Sequence, residues 1–131
     1  MKRKIVLDSF ALLAYLKKES GFEKVKRFLA AEDVHALIND INLGEIYYII
    51  ARERGPGQAD YFIDVILPSM PISPVANALQ EVIEATRIKA KYSLSYADCF
   101  AAATSYRESA PLITGDPEFR KVQDIIEIDW I

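Results

Sequence analysis

Apolar residues along the chain fall into short continuous runs and longer segments with helical spacing, and the two kinds alternate. The run from Lys4 to Leu7 predicts a buried strand, and the Asp8-Ser9 pair after it is typical of a helix N-terminus. The same succession of a short apolar run and an amphipathic helix recurs along the sequence. Strands that alternate with helices predict a parallel sheet that is covered by helices on both faces.

The remaining elements follow from the same two patterns. Further strands are predicted at His35–Ile38, Met70–Ser73, Pro111–Thr114 and Ile125–Trp130. Further helices are predicted at Phe22–Ala31, from Asp40 to a break at Gly55-Pro56-Gly57, and at Ala59–Leu67, Val75–Lys91 and Ser95 to about Tyr106. Gly115-Asp116-Pro117 predicts a tight turn. No linker or repeat divides the sequence, so we expect residues 1–131 to form one domain.

Composition narrows the class of protein. The 131 residues are 51% hydrophobic, an ordinary globular mix that needs no disulfide or structural metal to fold. With only Cys99 and His35, the chain has no disulfide framework and no site built mainly from thiolates or imidazoles, which favours a cytoplasmic protein. The longest uncharged stretch, residues 65–80, holds three prolines, so no membrane association is expected. We do not expect the basic start to be a signal peptide, because Asp8 interrupts the apolar run too early.

The net charge of −3 argues against binding nucleic acid through bulk positive charge. It does not argue against an enzyme that acts on nucleic acid and recruits divalent cations, because positive charge is then supplied locally. Candidate chemistry must therefore be sought in individual acidic residues.

Two acids directly follow predicted strands. Asp8 comes after the first strand, and Asp116 follows the apolar run that ends at Thr114. In open α/β sheets, ligands bind at the carboxyl ends of strands, so adjacent strands would bring both carboxylates to one edge. The alternatives are a helix N-cap for Asp8 and ordinary turn chemistry for Asp116.

Two further acids lie on predicted helices. Glu45 shares a largely apolar helix face with Ile41 and Tyr48, so its carboxylate must be paired, metal-bound or turned to water. Asp98 is the one acid in the small and apolar segment 94–104, in the first turn of its helix. The helix dipole alone favours an acid there by about 0.3–1 kcal/mol, and a solvent-facing position is the alternative for Glu45.

Taken together, four carboxylates with almost no histidine or cysteine indicate a site for Mg²⁺ or Mn²⁺. Such ions activate water and steady phosphate oxygens, so a phosphodiester is the natural substrate. Ser9, Asn42 and Thr114 lie beside the acids and are candidates to support them, although local capping explains each equally well. Arg120, close to Asp116 in sequence, is the best candidate for a phosphate contact.

The chain resembles PIN-domain ribonucleases and, within them, the VapC-type toxins of prokaryotic toxin–antitoxin pairs. The resemblance is carried, in the family's order, by Ile5-Val-Leu-Asp-Ser-Phe-Ala-Leu-Leu13, Ile41-Asn-Leu-Gly-Glu-Ile46, Leu94-Ser-Tyr-Ala-Asp-Cys-Phe-Ala-Ala-Ala103 and Pro111-Leu-Ile-Thr-Gly-Asp-Pro-Glu-Phe119. It implies a three-layer α/β/α sandwich and metal-dependent endonucleolytic cleavage of RNA. Homodimerisation and inhibition by a protein antitoxin are also implied.

The resemblance also implies roles for individual residues. The acidic quartet that binds Mg²⁺ or Mn²⁺ and carries catalysis corresponds to Asp8, Glu45, Asp98 and Asp116. Ser9 and Thr114 match the hydroxyl residues that accompany the first and last acids. Asn42 departs from the family, since relatives often carry Ser or Thr there, and the acidic net charge is a second departure.

Three other hypotheses about the function of this chain remain open. The first is a PIN-like RNA-processing nuclease that is not a toxin. The second is a haloacid-dehalogenase-like phosphatase, which needs an Asp at the position that Phe10 occupies. The third is a non-catalytic α/β binding module whose acids are only caps and turns. Replacing Asp98 separates the last reading from a nuclease, because a binding module should tolerate the loss.

Overall fold

The computed structural model describes residues 2–131, and its centre is a sheet of five strands. These are β1 (Arg3–Leu7), β2 (Val34–Asn39), β3 (Ile72–Val75), β4 (Leu112–Thr114) and β5 (Ile128–Trp130). Their order across the sheet is β3-β2-β1-β4-β5, and every neighbouring pair is parallel. The carboxyl ends of all five strands therefore lie along one edge, with β1 at the centre.

Helices cover both faces of the sheet. They are α1 (Ser9–Lys17), α2 (Phe22–Ala30), α3 (Asp40–Arg54), α4 (Pro56–Tyr61), α5 (Leu79–Lys91) and α6 (Tyr96–Glu108). One π-helical turn (Phe62–Ile66) and two 3-10 segments (Leu67–Ser69 and Pro117–Val122) complete the helical structure. None of the helices within residues 2–131 has the length and apolarity needed to cross a membrane.

Alternating side chains of the strands divide the interior into two cores. Ile5 and Leu7 of β1 pack with Leu12 of α1 and Ile46 of α3, whereas Val6 packs with α5 and α6 on the other face. Such alternation follows from the two-residue period of a strand. The two cores on opposite faces make a three-layer α/β/α sandwich, so the expected fold class is confirmed.

The β3 region differs from its predicted boundaries. The strand runs from Ile72 to Val75 instead of Met70 to Ser73, and α5 begins at Leu79 instead of Val75. The strand extends through Pro74, because β3 is an edge strand, where a residue without an N–H is tolerated. Glu81 accepts a hydrogen bond from the Ala78 N–H at 3.0 Å, which fixes the later start of α5.

Two other helix predictions need correction. Asn39, not Asp40, caps α3, because its Oδ1 accepts a hydrogen bond of 2.9 Å from the Ile41 N–H. The Gly55-Pro56-Gly57 sequence ends α3, but α4 starts immediately at Pro56, since proline suits the first turn of a helix. The helix predicted at Ala59–Leu67 is thus the end of α4 followed by the π-helical and 3-10 turns.

The last strand is also shorter than predicted, since β5 begins at Ile128 and not at Ile125. The N–H groups of Ile125 and Ile126 both donate to the Val122 carbonyl, at 3.0 and 3.1 Å. This turn occupies the backbone groups that a longer strand would need.

Candidate functional site

Asp8 stands at the carboxyl end of β1, 1% exposed, and its two carboxylate oxygens have different partners. Oδ1 accepts a 2.8 Å hydrogen bond from the Ala11 N–H and thereby caps α1. Oδ2 accepts a 2.5 Å hydrogen bond from Thr114 Oγ1 at the end of β4. The capping interpretation is therefore correct, but it accounts for only one of the two oxygens.

Asp116 reaches the same edge through Thr114. The parallel pairing of β1 with β4 sets Leu7 opposite Ile113, which brings Thr114 beside Asp8. Thr114 Oγ1 also accepts a 3.0 Å hydrogen bond from the Asp116 N–H. Asp116 Oδ1 in turn accepts from the Glu118 N–H at 3.0 Å, so the turn interpretation holds as well. The two strands are adjacent, and the two acids lie at one edge.

Glu45 joins this edge from α3. The Ser9 hydroxyl at the start of α1 donates a hydrogen bond to the Glu45 carboxylate. Glu45 is half-buried, so its carboxylate is held against α1 and is not simply turned to bulk water. Ser9 therefore connects the first residue of α1 to Glu45 in the second turn of α3.

Asp98 approaches from α6. Ser95 caps this helix and accepts a 3.2 Å hydrogen bond from the Asp98 N–H. The Ser95 hydroxyl also interacts with the half-buried Asp98 carboxylate. Asn42, fully buried on α3, donates from Nδ2 to the Ala97 carbonyl at 3.1 Å. Its Oδ1 is buried and has no hydrogen-bond partner within residues 2–131. Asn42 thus ties α3 to the first turn of α6 and does not act as a helix cap.

The electrostatics show that these carboxylates are close. Burial raises the pKa of Asp8 from 3.8 to about 7, the hydrogen bonds from Thr114 and Ala11 lower it, and the charges of Asp98 and Asp116 raise it further. Burial also raises the pKa of Asp98 to about 6, and the Asp116 charge raises it further. The hydrogen bond with Ser95 lowers it, and the charges of Glu45 and Glu118 add smaller increases. Each shift reflects negative charge placed where water is scarce and other carboxylates are near.

No cation balances this charge in the part of the chain that the structure describes. The ion pairs there involve other carboxylates, those of Glu53, Glu84, Glu108, Glu118 and Asp129. Carboxylate oxygens without a lysine or arginine partner suit a hard divalent cation, because such an ion supplies the missing positive charge.

The acids do not form a closed cage. Across residues 2–131, no three Asp, Glu, His or Cys side chains are grouped as a ready-made metal-ligand cluster. Mg²⁺ commonly binds through one or two carboxylates and keeps several waters, so the donor chemistry of the four acids fits this kind of ion. A tight all-protein site of the zinc type does not fit.

Arg120 does not pair with Asp116. It is exposed in the 3-10 segment after Asp116, and its guanidinium carbon lies 5.9 Å from the centroid of the Trp130 ring. Sequence proximity had suggested a phosphate contact, whereas the structure directs this side chain onto β5. The proposed phosphate contact stays a prediction.

Sequence reasoning missed one polar group at this edge. Asn39, at the end of β2, donates from Nδ2 to Asn77 Oδ1 at 2.8 Å and to Thr104 Oγ1 at 3.0 Å. Asn77 Nδ2 donates back to Asn39 Oδ1 at 2.9 Å. The sequence could have indicated Asn39, because it directly follows the apolar run 36–38 in the same way as Asp8 follows Leu7.

The family model of the PIN domain matches residues 5–125. The chain belongs to the PIN-domain family. The match spans all four acids of the site, and it agrees with the five-stranded parallel sheet between two helical layers. No curated protein sequence matches this PIN-domain chain significantly.

Solved structures with the same fold cover nearly the whole chain. VapBC2 from Rickettsia felis, bound to a DNA fragment from its promoter, has a TM-score of 0.75 at 14% identity, covering 98% of both chains. VapC20 of Mycobacterium tuberculosis, a sarcin-ricin loop cleaving toxin, has a TM-score of 0.75 at 16% identity, covering 95% of this chain and 98% of that one. A toxin–antitoxin complex from Klebsiella pneumoniae has a TM-score of 0.67 at 16% identity, with coverages of 97% and 99%. At these identities, the likeness establishes the fold.

Proposed function

We propose that this PIN-domain protein is a Mg²⁺- or Mn²⁺-dependent endoribonuclease that hydrolyses phosphodiester bonds in RNA, as the toxin of a toxin–antitoxin pair. The observation that carries the proposal is the group of carboxylates at the carboxyl edge of β1 and β4. Their negative charge is unbalanced by lysine or arginine, and the pKa values of Asp8 and Asp98 are raised to about 7 and 6. Family membership supports the same assignment.

Asp8, Glu45, Asp98 and Asp116 are the residues that would hold the metal. When bound, a divalent ion supplies a water of lowered pKa and a positive charge for the phosphate oxygens. Thr114 keeps the Asp8 carboxylate oriented and favours its ionised form, because its hydroxyl donates to Oδ2. Ser9 fixes the Glu45 carboxylate, and Asn42 holds the first turn of α6, which presents Asp98.

RNA is the proposed substrate for two reasons. The acidic edge needs a cation before a polyanion approaches, and a divalent ion reconciles an acidic protein with a phosphodiester substrate. In addition, VapC20, which shares the fold over nearly its whole length, is described as a sarcin-ricin loop cleaving toxin. The likeness of fold motivates the substrate class and leaves the particular RNA open.

Cleavage of total RNA tests the chemistry. We expect the protein to cut RNA with Mg²⁺ or Mn²⁺, and we expect EDTA, Asp8→Ala and Asp98→Asn each to abolish the cleavage. Asp33→Asn is the matched control, because Asp33 is exposed ahead of β2 at the opposite edge of the sheet. Equal cleavage by wild type and Asp98→Asn would contradict the proposal.

Binding of the metal has a readout that does not depend on activity. A ligand that binds only the folded state raises the unfolding midpoint with its concentration. We expect Mn²⁺ to raise the midpoint of the wild type and to raise that of Asp98→Asn much less. A flat titration of the wild type at millimolar Mn²⁺ would count against a metal site.

The partners are proposed from the same relatives. A toxin–antitoxin complex and VapBC2 are among the structures with this fold, and we therefore propose a protein antitoxin for this chain. A homodimer is proposed from the resemblance to the family alone. The test is the adjacent reading frame: expression of its product together with this chain should give a stable complex and suppress RNA cleavage. A chain that cleaves RNA but has no inhibiting neighbour would instead be an RNA-processing nuclease.

A further inference from the structure

Phe10 is an exposed aromatic ring next to the acids. It is 42% exposed, although the four residues after it in α1, from Ala11 to Ala14, are all buried. Phe10 is two positions after Asp8 and directly follows Ser9, so its backbone lies within the site. An exposed aromatic ring beside a charged site offers a face on which another flat ring can stack.

The position of the ring is set by Gly115. A Cβ built on Gly115 would lie 2.9 Å from Phe10 Cζ and still closer to Cε1, so only glycine leaves room for the ring. Gly115 is also the residue directly before Asp116. The Phe10 ring therefore rests on the loop that carries Asp116, while Asp8 caps the helix to which Phe10 belongs.

Phe10 also borders a cleft between α1 and α3. The cleft has a volume of about 540 Å³, and its apolar wall is formed by Phe10, Leu13, Ala14 and Ile49. Lys17 and Glu53, paired at 2.8 Å, also line it. Glu19 and Ser20 complete the polar part of the lining. The Phe10 end of the cleft lies against Gly115, next to Asp116, and offers an apolar ring face on which a flat aromatic group can stack.

We propose that Phe10 and this cleft bind an unpaired nucleobase of the RNA, next to the phosphodiester that is cut. The proposal rests on the function proposed above and adds to it a residue, Phe10, that contacts the base beside the cut. The reason is position. The Phe10 ring lies against Gly115, directly before Asp116, so a base next to a phosphate that the metal holds at these acids would lie on the Phe10 side of the site. Proteins read single-stranded RNA by stacking splayed-out bases on aromatic rings, and a base inside a duplex is not available for this.

The test uses a short unstructured RNA whose cleavage site has been mapped, and the same RNA with an abasic residue on one side of that site. Loss of one base–aromatic stack corresponds to roughly a fivefold to hundredfold loss of affinity. We expect Phe10→Ala to raise KM about tenfold or more, with a smaller effect on kcat. The abasic substitution should weaken the wild type by a similar factor and add little to Phe10→Ala, because the two changes remove one interaction.

Three further variants test whether an aromatic ring at position 10, in its present place, is what lowers KM. Phe10→Trp should keep the low KM, whereas Phe10→Leu, which keeps apolar volume without a ring to stack, should behave like Phe10→Ala. Gly115→Ala should raise KM with Phe10 still present, because the new Cβ displaces the ring. Tyr106→Ala is the matched control: Tyr106 is 64% exposed near the end of α6, and its removal should leave KM unchanged.

The outcomes distinguish this inference from the proposed function. If wild type cleaves RNA and Phe10→Ala cleaves it with the same KM and the same response to the abasic residue, the nucleobase site is wrong and the nuclease stands. If Phe10→Ala loses only the binding of a protein partner, the cleft is a protein-docking surface and the inference is overturned. If the wild type does not cut RNA with Mg²⁺ or Mn²⁺, both proposals fail.

Discussion

Thr114 Oγ1 donates to Asp8 Oδ2 at 2.5 Å and accepts from the Asp116 N–H at 3.0 Å. One buried hydroxyl thus connects the acid that follows β1 with the acid that follows β4. The connection spans 106 positions in sequence and exists only because the two strands are neighbours in the sheet. It also opposes the effect of burial on Asp8, since a hydrogen bond to a carboxylate favours its ionised form.

Replacing Thr114 by valine should therefore act through Asp8. Valine keeps the shape but removes the donor, so we expect the pKa of Asp8 to rise above its value of about 7. The acid limb of the kcat/KM profile should move to higher pH, and activity lost at pH 7 should partly return at pH 8.5. The free energy of unfolding should fall by ~1–3 kcal/mol at pH 8, because the ionised carboxylate loses a buried partner.

Thr114→Ser is the control for this change, because it keeps the hydroxyl. It should retain the wild-type pH profile. A Thr114→Val profile that coincides with that of the wild type would show that the hydroxyl does not tune Asp8.

Stability of the metal-free protein should depend on pH in a particular direction. The pKa of Asp8 is about 7 in the folded state and about 3.8 when unperturbed, so between these values the folded state holds a proton that the unfolded state lacks. The free energy of unfolding should therefore fall as pH rises from about 4 to about 7, by on the order of 4 kcal/mol. Asp98, raised to about 6, acts in the same direction.

Urea unfolding in EDTA at pH 5, 6, 7 and 8 measures this slope. Asp8→Asn should flatten it in large part, leaving the smaller contribution of Asp98, whereas Asp33→Asn should leave it unchanged. A metal-free protein whose stability rises across this range would contradict the electrostatic picture of the site.

Asp98→Asn should separate catalysis from stability. The carboxylate contributes no ion pair within the described chain and is pushed toward its neutral form by burial and by Asp116. We expect the variant to lose RNA cleavage while its metal-free Tm equals or exceeds that of the wild type. A Tm several degrees lower, measured without metal, would indicate a structural role for Asp98 instead.

Asn42→Leu should change stability little, although Asn42 is fully buried, and should lower kcat. The change removes the bond to the Ala97 carbonyl, worth about 1 kcal/mol, but it also removes the buried Oδ1 that has no partner. We expect a net stability change within about 1 kcal/mol, accompanied by a several-fold lower kcat, because the turn that presents Asp98 is no longer held by α3.

Asn39→Leu is the comparison for this substitution. Asn39 has four hydrogen bonds and caps α3, so its loss should lower the free energy of unfolding by ~2 kcal/mol or more. If Asn42→Leu is as destabilising as Asn39→Leu, or leaves kcat unchanged, the assigned positioning role of Asn42 is wrong.

The acids at strand ends were predictable because the sequence marks the end of a buried strand clearly. An apolar run followed by Asp identifies Asp8 and Asp116, and the parallel α/β pattern predicts that such residues share an edge. Their proximity still required β1 and β4 to be neighbours, a fact of strand order that local spacing does not contain. The roles of the four acids in metal binding and catalysis stay predictions.

Other features depended on contacts that no local pattern encodes. The Asn42 side chain reaches the Ala97 carbonyl across 55 positions, and Phe10 rests on Gly115 from a different segment of the chain. The predicted third strand ended at Ser73, but β3 continues through Pro74 to Val75. Proline is tolerated there because β3 lies at the edge of the sheet.

The late position of β4 in the chain has a consequence for synthesis. Asp8, Glu45 and Asp98 leave the ribosome before Thr114 and Asp116, which complete the site only after β4 has paired with β1. Under the proposed function, a polypeptide still being translated has no finished nuclease next to the messenger and ribosomal RNA that surround it. Under that proposal, cutting has to wait until the segment that carries Thr114 and Asp116 has been made and has folded onto β1.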